Sequence, residues 1–217
     1  GGGLIYDNVL NITWLKDANY AATQYAATGG VLGDADGGMT FSAANTWAAN
    51  LSFHDSARNV DLTGWRLPTV NPVGASFNYN FSNNGTTDAG YGNTSPNSEL
   101  AYMYYVNLGN LGYCTPDNGN PSSCVGQAGS GLLHTAPFDN LQSSSYWSGR
   151  ADTADSAWVF GTQLGSQFIS SQRSVLYAWA VHSGDVAAVP EPGSAMLFGL
   201  SLTGLAAIRR RRPLADG

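Results

Sequence analysis

The segment that most constrains this chain runs from Gly193 to Ile208, sixteen consecutive residues without a charge, followed at once by four arginines, Arg209 to Arg212. At ~1.5 Å per helical residue it reaches about 24 Å, somewhat short of a bilayer core of about 30 Å. It spans only where the bilayer thins locally or the arginines snorkel to the interface. Arginine clusters stay on the cytoplasmic side, so Arg209 to Arg212 are expected inside and everything before Pro190 outside. A buried soluble helix fits poorly, because such a segment offers no polar face to solvate. Gly193, Gly199 and Gly204 would also each cost about 1 kcal/mol in a helix interior. The plain alternative is a single-pass anchor that is never processed.

Just before this segment stands Val189-Pro190-Glu191-Pro192-Gly193. Pro-Glu-Pro, a short apolar helix and a terminal Arg cluster together resemble the PEP-CTERM sorting signal of Gram-negative bacteria that make exopolysaccharide. The resemblance implies recognition by an exosortase, a membrane-embedded cysteine transpeptidase that cuts near Pro-Glu-Pro and passes the protein to the cell surface or matrix. Pro190, Glu191 and Pro192 would then be the recognition element, and Arg209, Arg210, Arg211 and Arg212 the stop-transfer charge. The extension Pro213 to Gly217 departs slightly from the pattern. The expected organisation is an exported domain over 1–187 and a sorting signal over 188–217, with a single membrane helix over about 193–208.

Composition agrees with export. Charged residues make up only 11% of the chain and Gly numbers 27, so the surface is built largely from neutral hydrogen-bonding groups. Residues 1 to 189 hold five basic residues against thirteen acidic ones, a formal charge of −8, which argues against binding nucleic acid or other polyanions through bulk electrostatics. An exported protein should begin with a secretory leader, whereas this sequence opens Gly1-Gly2-Gly3-Leu4, so the leader is expected to have been removed or the sequence to be truncated. Cys114 and Cys124, in a Pro, Gly, Asn and Ser-rich stretch, are expected to form a disulfide, since two thiols alone cannot close a structural zinc site.

Within the exported part, Leu4-Ile5-Tyr6 and Ile12 to Leu15 flank a polar turn and predict an opening hairpin. Phe41, Ala44, Trp47, Ala48 and Leu51 follow helical spacing, with Thr40 or Ser42 able to cap. A second helix is expected from Ser98 to Leu108, with Glu99 at its N-terminal dipole and Gly109 as a stop. Short strands are expected at Trp65 to Leu67, Tyr146 to Ser148, Ala157 to Phe160 and Leu176 to Val181. Helices early and strands late predict an α+β fold.

These elements carry a second resemblance. Tyr6-Asp7, Thr13-Trp14-Leu15, Trp47 to Leu51, Gly64-Trp65-Arg66-Leu67-Pro68-Thr69, Glu99-Leu100, Tyr146-Trp147-Ser148 and Ala157 to Phe160 are similar, in order, to the C-terminal domain of the collagen-like adhesin Lcl. That resemblance spans Leu4 to Asp185. It implies a C-type-lectin-like fold, related to formylglycine-generating enzymes, with two helices against small antiparallel sheets. From the residues themselves, Trp65 and Leu67 should face the core, with Arg66 opposite and paired to a carboxylate such as Glu99. Trp14, Trp47, Trp147, Trp158 and Trp179 read as core aromatics. Were one exposed for ligand stacking, Trp147 beside Tyr146 is the choice.

Catalytic signals are weak. His54, His134 and His182 are isolated, and neither a nucleophile elbow nor a phosphate-binding Gly loop is present. Asp34 and Asp36 resemble the start of a calcium loop, but the further oxygen ligands of an EF-hand are missing, and a tight turn is the alternative. No cofactor is expected. The leading expectation is a non-enzymatic surface or matrix protein that binds or embeds in exopolysaccharide after exosortase sorting. A self-assembling structural surface protein comes next, then a relative of formylglycine-generating enzymes. The Asn, Gly and Ser-rich loop from Pro72 to Pro96 is where specificity would lie, because functional variation concentrates in loops.

Overall fold

The opening hairpin forms as its alternation and turn chemistry require. Strands β1 (Leu4–Asp7) and β2 (Ile12–Leu15) pair antiparallel, with Leu4 opposite Leu15 and Asp7 opposite Ile12. Asp7 closes the turn, its Oδ1 accepting the N–H groups of Val9 and Leu10 at 3.0 Å each. Asn11 takes a left-handed conformation at φ 51°, which asparagine tolerates better than most residues. The computed structural model describes residues 2–29 and 33–186. By its contacts the chain separates into Gly1–Val186 and Ala187–Gly217. The expected membrane helix over 193–208, Pro190-Glu191-Pro192 and Arg209 to Arg212 all lie outside the described residues. Among the described residues, no helix is long and apolar enough to cross a membrane.

Helix α1 (Tyr20–Thr28) follows β2 and was not anticipated from the sequence. It buries only Ala21, so it shows no apolar stripe, and it ends where Gly29, at φ 77°, donates its N–H to the Tyr25 carbonyl. After the short strand β3 (Gly38–Met39), helix α2 (Phe41–Asn50) forms as expected. Thr40 caps it by accepting the Ala43 N–H at 3.4 Å, and it buries Phe41, Ala44, Trp47 and Ala48. The hairpin β4 (Phe53–Asp55) and β5 (Val60–Leu62) leads into a long loop broken by β6 (Phe81–Ser82) and β7 (Ala89–Tyr91). Helix α3 (Glu99–Tyr102) then continues as a π-helical turn over Met103–Asn107, so the second expected helix is present in two windings. The remaining strands are β8 (Cys114–Asp117), β9 (Asn120–Gly126), β10 (Ser145–Ala151), β11 (Ser156–Gly161), β12 (Ser166–Ser171), β13 (Leu176–Tyr177) and β14 (Val181–Ser183).

The fold is mixed helix and sheet, but it departs from two helices on small antiparallel sheets. Three α-helices are present among the described residues, and the largest sheet has seven strands in the order β3-β13-β10-β11-β12-β7-β6. It is mixed, because β10–β13 and β6–β7 pair in parallel. A three-stranded sheet β1-β2-β14 and the hairpins β4-β5 and β8-β9 complete it. Two expected strands are corrected. Trp65 to Leu67 contributes a single antiparallel bridge between Arg66 and Val181. Leu176 to Val181 splits between the two larger sheets, because Trp179 leaves the strand path to fill the core and donates Nε1–H to the Leu15 carbonyl at 2.8 Å.

Both faces of the large sheet are covered, which explains the near-continuous burial of β11. On one face Ala157 and Val159 join the main core with Trp14, Trp147 and Trp179. The main core is aromatic, with Trp179 4.6 Å from Trp14 and 4.7 Å from Phe138 between ring centroids. Trp158 points the other way and forms a second cluster with Val70 and Ala89, against which Phe77 and Ile169 pack.

Candidate functional site

Over that second cluster lies the loop from Val70 to Asp88, and Asp88 organises it. The Asp88 side chain is buried, with Oδ1 accepting the Val73 N–H and Oδ2 the Asn78 N–H, both at 2.7 Å. Its carbonyl accepts from Gln167 Nε2 at 2.7 Å, which ties the loop to β12. One carboxylate thus satisfies two loop amides ten and fifteen residues before it, and charge-assisted bonds of this kind are roughly twice as strong as neutral ones.

The loop places two rings on Trp158. Phe77 stacks at 4.9 Å between centroids with planes 25° apart, and Tyr79 at 5.8 Å and 20°. Because Phe77 and Tyr79 are themselves only 6.3 Å apart, they cover the same face of the indole. The Arg150 guanidinium sits 5.0 Å from the Phe77 ring centroid, in cation–π range. Tyr79 donates its hydroxyl to Asp152 Oδ1 at 2.8 Å. That bond to a carboxylate raises the phenol above its ordinary value, with burial adding to the effect. Tyr79 is held at its face and its tip and still exposes 54% of its surface. A groove of about 490 Å³ opens beside it, lined by Ser76, Asn78, Asn80 and Thr86 as well as the two rings.

The structure corrects the choice of Tyr146 and Trp147 as ligand-binding residues, since both are 0% exposed. They lie on β10, a central strand between β11 and β13. Trp147 donates Nε1–H to the Met39 carbonyl at 2.8 Å and meets Phe41 edge-on. The Tyr146 hydroxyl accepts the Gln142 N–H at 2.8 Å, and burial pushes its phenol well above the ordinary value. The Arg66–Glu99 pair forms as expected, two-pronged at 2.7 and 2.8 Å. Asp34 and Asp36 build a tight turn into β3, with Asp36 Oδ1 accepting the Gly38 N–H at 3.1 Å. Among the described residues, no group of three or more His, Cys, Asp or Glu is placed to hold a metal ion. Cys114 and Cys124 are joined as a disulfide with Cα atoms 5.0 Å apart, and they cross-link the β8–β9 hairpin where a loop had been expected.

Sequence reasoning singled out the loop from Pro72 to Pro96 but none of Phe77, Tyr79, Arg150 and Asp152. One signal was available, the strict alternation Phe77-Asn78-Tyr79-Asn80-Phe81, which puts aromatic rings on one side and amides on the other in extended chain.

Compared with known proteins, residues 188–212 match the PEP-CTERM protein-sorting motif. No curated protein and no solved structure matches the chain. The matched span takes in Pro190-Glu191-Pro192, the apolar run and Arg209 to Arg212, and the motif it resembles is that of exosortase-dependent surface or extracellular proteins.

Proposed function

We propose that this chain is a non-enzymatic protein that exosortase moves from transient anchorage in the inner membrane to the cell surface or extracellular matrix, where its folded unit binds or embeds in exopolysaccharide. The observation that carries the reading is the PEP-CTERM match over 188–212. In this reading Pro190, Glu191 and Pro192 present the recognition element and Arg209 to Arg212 hold the cytoplasmic end. The Cys114–Cys124 disulfide suits an oxidising compartment. The formal charge of −8 over residues 1–189 favours neutral polymers over acidic ones.

The test is intact mass and C-terminal sequencing of the protein recovered from its producer, with membrane, matrix and medium fractions kept apart. Loss of the segment after about Pro190 in the matrix or medium is expected, and Glu191→Ala should retain it. An intact tail found only in the inner membrane refutes sorting.

A second reading, self-assembly into a structural surface layer, is favoured by one feature. Phe81, 52% exposed, sits on β6, the last strand of the large sheet. The β8–β9 hairpin already lies beside that strand, with Asn83 donating its N–H to the Pro121 carbonyl at 2.8 Å, so the exposed ring rather than the strand edge would carry self-association. Concentration-dependent sedimentation that vanishes in Phe81→Lys would select this reading.

A further inference from the structure

We propose that the groove over Trp158 is a subsite for a neutral, hydroxyl-rich glycan, with the outer face of Tyr79 as its platform and the Asn and Thr side chains beside it as its hydrogen-bonding rim. The proposal deepens the extracellular reading above and rests on it.

Three observations point to this ligand chemistry. First, the platform is preorganised. The Tyr79 ring is stacked on Trp158, its hydroxyl is bonded to Asp152, and the chain beneath it is fixed by the Asp88 carboxylate, yet more than half of the side chain faces solvent. A ring that only closed the core would be covered. One held open has already met the ordering cost that binding would otherwise impose. Its free face suits the apolar C–H face of a pyranose ring, which is flat, weakly hydrated and bordered by hydroxyls.

Second, the rim can both donate and accept, and the one charged residue in the lining, Asp88, already accepts the Val73 and Asn78 N–H groups. Ser76, Asn78, Asn80 and Thr86 line the groove, and amide and hydroxyl groups of this kind match sugar hydroxyls of either polarity. The groove volume of about 490 Å³ lies within the range of small-ligand sites, roughly 300–1,000 Å³.

Third, charge selects against acidic polymers. The charged groups that act on Tyr79 are Asp152, Arg150 and Asp88, two carboxylates against one guanidinium. That guanidinium is engaged on the Phe77 ring. A uronate or sulfate chain therefore meets net repulsion, whereas a neutral chain meets none.

The test uses the full chain, wild type and variants, in a zwitterionic detergent without a sugar headgroup. Tryptophan fluorescence and native affinity electrophoresis are read with maltohexaose, cellohexaose and laminarihexaose as neutral probes and polygalacturonate as the acidic one. Binding of at least one neutral probe is expected, weakened about tenfold or more by Tyr79→Ala, since ring contacts contribute on the scale of a tenfold change in affinity. Tyr79→Trp should retain binding, and near-ultraviolet circular dichroism should show that all three proteins keep the same core. Equal binding by wild type and Tyr79→Ala overturns the groove and leaves the polysaccharide reading standing. Preference for polygalacturonate overturns the neutral assignment. Absence of binding to every neutral probe overturns the groove; absence of binding to polygalacturonate as well overturns the polysaccharide reading with it, while tail processing, measured separately, stands or falls by itself.

Discussion

Replacing Arg66 with Ala should strongly destabilise the folded unit. Arg66 bridges three parts of the fold. Its backbone exchanges hydrogen bonds with Val181 at 2.9 and 2.8 Å, its Nη1 reaches the Leu67 carbonyl at 3.1 Å, and its guanidinium forks onto Glu99. The Glu99 side chain is 8% exposed against 32% for Arg66. Removing the arginine therefore strands a buried carboxylate whose remaining partner is the Thr69 N–H at 2.6 Å. Breaking a fully buried pair costs about 3–5 kcal/mol. Because a third of Arg66 is already in water, the figure is discounted to roughly 2–4 kcal/mol. For a unit of this size that lowers Tm by about 5–15 °C. Glu99→Gln should be milder, about 1–2 kcal/mol, since Arg66 can turn to water and Gln keeps an acceptor for Thr69. Arg66→Lys should recover less than half of the loss, because an ammonium cannot make two parallel bonds. Thermal unfolding of the full chain, followed by near-ultraviolet circular dichroism, reads all three. If Glu99→Gln proves worse than Arg66→Ala, or Lys restores full stability, the reasoning is wrong.

Trp147→Ala should cost about 3–5 kcal/mol in urea unfolding, as expected for emptying a packed core site; a change below about 1 kcal/mol would mean the ring is not where it is described. Stability should fall at alkaline pH. Burial raises Tyr104 from 10.0 to about 12 and raises Tyr105 and Tyr146 further still, so from about pH 10 upward the unfolded chain loses protons that the folded one keeps. Phenolate absorbance should then show a late step coinciding with loss of tertiary signal, and smooth titration of every tyrosine in an intact fold would contradict it. Gly90→Ala should be strongly destabilising, since Gly90 is at φ 117° and an added Cβ would lie on the Ser82 carbonyl of the parallel neighbour β6; unfolding within about 0.5 kcal/mol of wild type would count against the β6–β7 pairing.

Helix α2 was legible because it carries both a stripe and a cap, Phe41, Ala44, Trp47 and Ala48 behind Thr40. Helix α1 carries neither, and its alanine-rich run Tyr20–Thr28 shows no apolar stripe for periodicity to find. The Arg66–Glu99 pair could be read because alternation around Trp65 and Leu67 left Arg66 without an apolar role, and Glu99 stood at the start of the next expected helix. Tyr146 and Trp147 misled for a different reason. An aromatic pair looks alike on a central and on an edge strand, and what buries this one, Met39 and Phe41 against Trp147 and Tyr177 and Trp179 against Tyr146, lies far from it in the chain. The groove was half visible. Alternation in 77–81 marks the rings, but their support, Trp158, and their tethers, Arg150 and Asp152, belong to a different hairpin that no local pattern connects to the loop.

The small sheet β1-β2-β14 gathers the first strand of the fold and the segment that leads to the tail. Val186 donates its N–H to Thr13 Oγ1 at 3.3 Å and accepts from Arg58, Thr13 donates to the Gly184 carbonyl at 2.8 Å, and Gly184 donates to the Asn11 carbonyl at 2.8 Å. If the tail anchors the protein as proposed, a mechanical pull would reach the described fold at Val186 and would meet these bonds first. Next come the Ser183–Ile12 and His182–Thr13 pairings, and then Val181, which is locked to both Trp14 and Arg66. Behind Val181 stands Trp179, 1% exposed in the aromatic core. Under the proposed anchoring, drag would thus meet a graded series of single hydrogen bonds before it reached the core, and cleavage near Pro190 would remove that load.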